Sequence, residues 1–142
     1  MNIKGFRVSA VAALALTVWV GAASGQTTRV DPGKREFDAN CAVCHGSTGK
    51  GNGPYQDMLK RSPPDLTTLS RRNGGILPAN RLYEAIEGAN LPAHGSRDMP
   101  IWGTAFRIQA GEYYADMPYD TAVYVRSRIL ALVEYINRLQ ER

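Results

Sequence analysis

Two cysteines and a histidine lie close together in the first third of the chain and are its residues best suited to chemistry. Cys41 and Cys44 are three positions apart and His45 follows directly, which gives the pattern C-x-x-C-H. On a tight helical turn, two thiols at this spacing reach the two vinyl groups of one porphyrin, and the adjacent imidazole reaches its iron. The pattern therefore predicts covalent attachment of one haem, with His45 as an iron ligand.

Other uses of a cysteine pair fit this sequence less well. A plain disulfide would leave His45 without a role, and a thioredoxin-like redox pair is expected beside a βαβ pattern, which the sequence does not show. A zinc site needs about four ligands, whereas the whole chain has two cysteines and two histidines. Haem attachment is the interpretation that uses all three residues.

A second axial ligand is expected on the face of the iron opposite His45. A methionine thioether in that position raises the reduction potential and suits an electron carrier. The side chains that could supply this ligand are Met58, Met99, Met117 and His94. An open sixth position is the remaining alternative.

Position in the chain separates these candidates. Met58 follows the attachment motif too closely to reach the opposite face, and Met117 lies almost at the start of the final predicted helix. Met99 lies in an irregular stretch that Pro100 stiffens and to which Trp102 adds a bulky ring. We therefore expect Met99 to be the second ligand.

The helix that positions the cysteines begins at Asp31-Pro32. The aspartate caps free backbone N–H groups, and proline at the first helical position loses no hydrogen bond. Gly33, Phe37 and Cys41 recur at four-residue spacing, which places them on one helical face. The sequence thus predicts a helix that runs into the attachment motif.

Glycine- and proline-rich loops are predicted from residue 46 to residue 79, with one short helix near 56–60. A second helix is predicted from Asn80 to Glu87, with Asn80 as its cap and Gly88 as its stop. Residues 89–120 contain repeated glycines and prolines and are predicted to be mostly loop.

The last segment carries the clearest helical pattern of the chain. Apolar residues from Val125 to Leu139 follow the 3.6-residue period, and charged residues occupy the other face. No strand pattern of useful length is present. The sequence therefore predicts an all-α fold.

The first 25 residues have the layout of a secretory signal. Lys4 and Arg7 precede an uncharged, mostly apolar stretch from Val8 to Ala23, and small residues follow up to Gly25. The stretch is shorter than the roughly 20 apolar residues of a membrane-spanning helix. We expect residues 1–25 to be a cleaved signal peptide, residues 26–142 to be one domain, and the protein to be periplasmic or otherwise exported, without a membrane span after cleavage.

The charge of the chain does not indicate a nucleic-acid partner. Its formal net charge is +4, and part of that lies in the predicted signal. Four cations after the motif suggest a local patch for an acidic redox partner, although solvated loop surface is the favoured interpretation: Lys60, Arg61, Arg71 and Arg72.

From about Asp31 to Gln140 the chain resembles the class I c-type cytochromes. The likeness rests on the C-x-x-C-H motif after an amphipathic helix, the Met99-Pro100 loop and the final apolar helix. It implies a small all-α fold in which the first and last helices cross around one haem. The contact there would bring Gly33 and Phe37 against Leu132 and Tyr135, the residues that match the family pattern.

The resemblance also implies roles for loop residues. The backbone carbonyl of Pro63 or Pro64 would accept a hydrogen bond from His45 and so fix the orientation of the ring. Trp102 would pack by the haem or donate its indole N–H to a haem propionate, or else anchor a surface loop. The stretch from Thr104 to Tyr119 departs from compact members of the family and is a candidate partner-facing insertion.

The expected function is transfer of single electrons between redox partner proteins by an exported monohaem cytochrome that is not itself an enzyme. A dedicated electron-accepting subunit of a dehydrogenase complex is the first alternative. A haem sensor or peroxidase-like protein with an open sixth position is the second. The sequence does not indicate the oligomeric state.

Overall fold

The computed structural model describes residues 30–88 and 99–141, so the predicted signal peptide and His94 lie outside the described residues. Within these ranges the chain forms six α-helices and no β-strand, which confirms the all-α prediction. The helices are α1 (Pro32–Asn40), α2 (Ala42–His45), α3 (Leu69–Arg72), α4 (Ala79–Glu87), α5 (Trp102–Tyr113) and α6 (Thr121–Arg138). None of the described helices is both long enough and apolar enough to cross a membrane.

Helices α1 and α6 cross in close contact, as the family resemblance implies. A methyl group added to Gly33 would lie 2.8 Å from the carbonyl carbon of Ala131 and 2.9 Å from the Cβ of Tyr135. The rings of Phe37 and Tyr135 pack with their centroids 5.2 Å apart, and Leu132 is almost completely buried. Glycine is therefore required at the crossing because the two backbones approach too closely for any side chain.

The start of α1 follows from its sequence. The Asp31 carboxylate accepts a hydrogen bond from the Lys34 backbone N–H at 3.0 Å, and Pro32 occupies the first helical position. Arg138 at the end of α6 forms an ion pair with the same Asp31 carboxylate. The cap of the first helix therefore also connects it to the last one.

The prediction that residues 89–120 are mostly loop is wrong over α5. Gly103 and Gly111 look like helix breakers in the sequence, yet both lie inside this helix. Phe106 and Ala110 are completely buried against the core, and burial of an apolar face outweighs weak helix propensity. At Gly103, moreover, an added methyl group would lie 2.6 Å from the Glu87 carbonyl oxygen at the end of α4.

The second predicted helix has nearly the expected bounds. Helix α4 begins one residue earlier, so Pro78 is the cap and Asn80 lies inside the first turn, which makes the predicted Asn80 cap wrong. Gly88 ends the helix with a φ of +87°, as predicted. The short helix expected near 56–60 is a single 3-10 turn, Gln56–Met58.

The segment after Pro63 and Pro64 contains two short helices that were not predicted from the sequence. They are a 3-10 turn at Leu66–Thr68 and α3, which follows it directly. The C-terminal residues hold this segment in place. The Gln140 side chain donates to the Leu66 carbonyl at 2.7 Å and accepts from the Ser70 N–H at 2.9 Å. The Glu141 N–H donates to the Thr67 carbonyl at 2.8 Å. We call these contacts of Gln140 and Glu141 the C-terminal clip.

Candidate haem site

The C-x-x-C-H motif folds as one tight turn that continues from α1. The Cys41 N–H donates to the Phe37 carbonyl at 2.8 Å and ends α1, while the N–H groups of Cys44 and His45 donate to the Cys41 carbonyl at 3.1 and 2.9 Å. Both cysteines are free thiols, and all three motif side chains are partly buried. The structure therefore brings together Cys41, Cys44 and His45 as the sequence predicts.

The loop after the motif hydrogen-bonds back onto it. The Gly51 N–H donates to the His45 carbonyl at 2.8 Å, and the Gly53 N–H donates to the Cys44 carbonyl at 3.1 Å. The Tyr55 N–H donates to the Val43 carbonyl at 3.0 Å. These bonds satisfy carbonyls that a helix of four residues leaves without partners. The motif is thus fixed on both sides, by α1 before it and by this loop after it.

The His45 imidazole has a buried Nδ1 atom that lacks a partner with hydrogen-bond geometry among the described residues. Burial lowers the pKa of His45 below its usual value, and the Pro64 backbone carbonyl acts in the opposite direction. Of the two prolines that the resemblance leaves open, Pro64 is therefore the one whose carbonyl acts on the ring. A His45 ring that donates from Nδ1 to this carbonyl would leave Nε2 as the atom that can bind iron.

The surroundings of Cys41 disfavour its thiolate, which is the form of cysteine that binds metal ions directly. Burial raises its pKa to about 12, and the nearby Glu36 carboxylate adds to this effect. An uncharged thioether, in contrast, carries no desolvation penalty at this position. The described residues also contain no group of three or more His, Cys, Asp and Glu side chains that could hold a metal ion.

The three methionines differ in their surroundings. Met58 and Met117 are 78% and 60% exposed. Met99 is partly buried, packs against the hydrophobic core and lies just before α5. Of these three methionines, Met99 has the environment best suited to a ligand, since a thioether bound to iron has to be shielded from water.

A set of apolar side chains, which we call the apolar wall, packs against the same hydrophobic core as Cys41. Several partly buried side chains pack against the core and keep one side exposed: Leu77, Leu82, Tyr83, Met99 and Trp102. Trp102 also stacks on the completely buried Phe106, with ring centroids 6.0 Å apart, so one face of its ring packs towards the core. The two free thiols on one turn with the buried His45 Nδ1 atom are the donor set that covalent haem attachment needs, and the apolar wall supplies side chains of the kind that pack against a haem.

Comparison with known proteins agrees with this geometry. The family model described as Cytochrome c matches residues 30–140, which is most of the chain. The fold and the site define a haem-binding electron-transfer protein, and the chain belongs to the cytochrome c family. Its cofactor is haem c, an iron porphyrin bound covalently to the protein.

A curated relative is the cbb3-type cytochrome c oxidase subunit FixP of Azorhizobium caulinodans. It is 35% identical to this chain in an alignment that covers 42% of this chain and 23% of the relative. The chain therefore corresponds to less than a quarter of that protein. No solved structure matches the chain significantly.

One part of the surroundings of the site escaped the sequence analysis. The Glu36 carboxylate, 10% exposed, forms an ion pair with the Arg128 guanidinium, which is 26% exposed. The guanidinium lies over the rings of Phe106 and Tyr124, 4.7 and 5.1 Å from their centroids. The pair joins α1, α5 and α6 one turn before Cys41, and no spacing in the sequence connects its two members.

Two of the four cations considered as a basic patch have structural contacts. The Arg72 guanidinium donates to the Asp65 carbonyl at 2.6 Å, and Arg71 forms an ion pair with Glu141 at 3.5 Å. Arg71 and Arg72 therefore take part in the packing of the loop surface, which favours the interpretation that this region is ordinary solvated surface.

Proposed function

We propose that this chain is an exported monohaem c-type cytochrome that transfers single electrons between redox partner proteins. Cys41 and Cys44 form the two thioether bonds, and His45 and Met99 bind the iron. The observation that carries this proposal is the pair of free, partly buried thiols on one turn with His45.

Haem c supplies an iron that takes up and releases one electron. The residues of this chain hold and shield that group. The tight contact of α1 and α6 keeps the attachment turn rigid, Pro64 orients the His45 ring, and the apolar wall that includes Met99 and Trp102 excludes water. No nucleophile, general base or substrate pocket is required, because electron transfer makes and breaks no bond in the partner.

The Met99 assignment is tested by replacing Met99 with alanine in the haem-loaded protein. We expect this variant to lose the long-wavelength absorption band that arises from charge transfer between methionine sulfur and ferric iron. Met117→Ala is the matched control, since that side chain is mostly exposed, and it should keep the band. A band that survives in Met99→Ala would contradict the assignment.

A second candidate is a dedicated electron-carrying subunit of a larger redox complex. It is favoured by the relative whose name describes an oxidase subunit. Stable co-purification with a catalytic subunit would support it over a freely diffusing carrier. Rapid binding of carbon monoxide by the reduced protein would instead favour a sensor or peroxidase-like role, because a firmly bound methionine blocks the iron.

A further inference from the structure

Four tyrosine rings pack together where α5 passes into α6. Tyr114 stacks on Tyr119 with ring centroids 4.0 Å apart and an interplanar angle of 18°. Tyr113 and Tyr124 meet the same ring edge-on, with centroids 4.7 and 5.8 Å away. These contacts hold the rings in fixed orientations, so a partner that binds them pays little for ordering them. We call residues 112–120 the acidic aromatic corner.

The outer side chains of this corner are open to solvent. Tyr113 is 77% exposed, and Met117 and Tyr119 are exposed as well. Clustered apolar surface of this kind marks interaction sites on soluble proteins, and tyrosine and methionine are enriched in the centres of protein interfaces. The stacked rings therefore form a surface suited to contact with another molecule.

The charge of the corner identifies the chemistry of that molecule. Residues 112–120 contain three carboxylates and no lysine or arginine, in a chain whose net charge is +4. Asp120 caps α6 by accepting from the Ala122 N–H at 2.8 Å. The side chains of Glu112 and Asp116 form no hydrogen bond or ion pair with any residue that the structure describes. Two unpaired carboxylates beside exposed rings give a local negative potential.

We propose that the acidic aromatic corner docks a protein surface that presents lysine and arginine side chains. Carboxylates attract such cations at long range, and tyrosine faces bind them at contact. The molecule already contains one example, the Arg128 guanidinium 5.1 Å from the Tyr124 ring centroid. The same carboxylates repel nucleic acid and anionic membranes.

The corner is separate from the candidate haem site. Met99 and Trp102 lie at the start of α5 and the corner lies at its end, and a helix of this length spans about 18 Å. A partner held at the corner therefore binds about one helix length away from Met99 and Trp102. This inference rests on the proposed function in that it takes the docked protein to be a redox partner.

Binding is tested with an octa-arginine peptide as the cationic probe and an octa-glutamate peptide as its counterpart. The titration uses the full-length, haem-loaded, reduced protein, labelled with 15N, at low ionic strength. We expect the arginine peptide to shift amide resonances of residues 112–120 and the glutamate peptide to shift none of them. Glu112→Gln with Asp116→Asn should weaken binding at least tenfold, and so should Tyr113→Ser with Met117→Ser.

A control of equal charge change removes two exposed carboxylates elsewhere, Asp57→Asn with Glu134→Gln, the second of which pairs with Arg138 at 2.7 Å, and should weaken binding less than twofold. Equal weakening by both charge pairs would show attraction to net charge alone and would overturn the proposal. Shifts centred on the attachment turn would overturn it too, as would sedimentation showing that a second copy of the chain occupies the corner. Because amide shifts do not depend on electron transfer, peptide binding by a protein that fails to transfer electrons would count against the proposed function only.

Discussion

Replacing Gly33 with alanine at the helix crossing has two opposing effects on the free energy of unfolding. Alanine is the better helix former by about 1 kcal/mol. The added methyl group, however, would lie 2.8 Å from the Ala131 carbonyl carbon and 2.9 Å from the Tyr135 Cβ. Neither atom is the end of a flexible side chain, so the helices themselves have to separate. Overpacking of this kind costs roughly 1–3 kcal/mol, and we expect the upper end, for a net loss of about 2 kcal/mol.

Gly111 offers a control in the same molecule. It also lies inside a helix, and a methyl group added there would meet nothing within 4 Å. Gly111→Ala should therefore stabilise the protein by roughly 0.5–1 kcal/mol. The free energies of unfolding of the two variants should differ by about 3 kcal/mol, because only the methyl group at position 33 meets a packed backbone.

The measurement is urea unfolding of the haem-loaded proteins, with the slope against denaturant checked to be equal for all variants. Absorbance of the haem and far-ultraviolet circular dichroism should report the same transition. If Gly33→Ala proves as stable as Gly111→Ala, the close contact of α1 and α6 does not hold and the reasoning fails.

Two further predictions concern the charges that connect α1 to α6. Arg128→Met should destabilise the protein by about 3 kcal/mol, the lower end of the range for a broken buried ion pair, because the Asn40 amide still donates to the Glu36 carboxylate. Urea unfolding should show that adding Glu36→Gln recovers part of the loss, and a neutral single variant would refute the argument. At Asp31, the hydrogen bond from the Lys34 N–H and the Arg138 side chain lower the pKa below 3.8, so its stabilisation is present above that pH and is lost as the pH falls below it. Asp31→Asn keeps a capping residue without a charge and should lose less stability between pH 5 and pH 2 in the same measurement; an unchanged acid profile would contradict this.

The attachment motif and the cap of α1 could be predicted because each depends on short-range spacing. Cys41, Cys44 and His45 lie on one turn wherever the local helix forms, and the Asp31 cap is a local contact as well. Prediction of the helix crossing required the family resemblance, since no pattern within the sequence itself pairs Gly33 with Tyr135. The assignment of Met99 as a ligand stays a prediction.

Helix α5 could not be predicted because its stability comes from outside its own sequence. Its glycines favour a loop because their helix propensity is low. The burial of Phe106 and Ala110 outweighs that low propensity, and this burial depends on where α6 lies. The Glu36–Arg128 pair has the same origin. A local pattern reports only the backbone preference of each segment, and these features are decided by segments far away in the chain.

The C-terminal clip has a consequence for the order in which this molecule is completed. The Gln140 side chain holds the Leu66 carbonyl, a residue 74 positions earlier, and so fastens the segment that follows Pro64. The clip forms only after residues 140 and 141 have folded back onto this segment. Because its contacts join residues about 70 positions apart, its closure is expected to be a late event in folding. The segment beside the attachment turn is therefore expected to become fixed only after the last helix has packed.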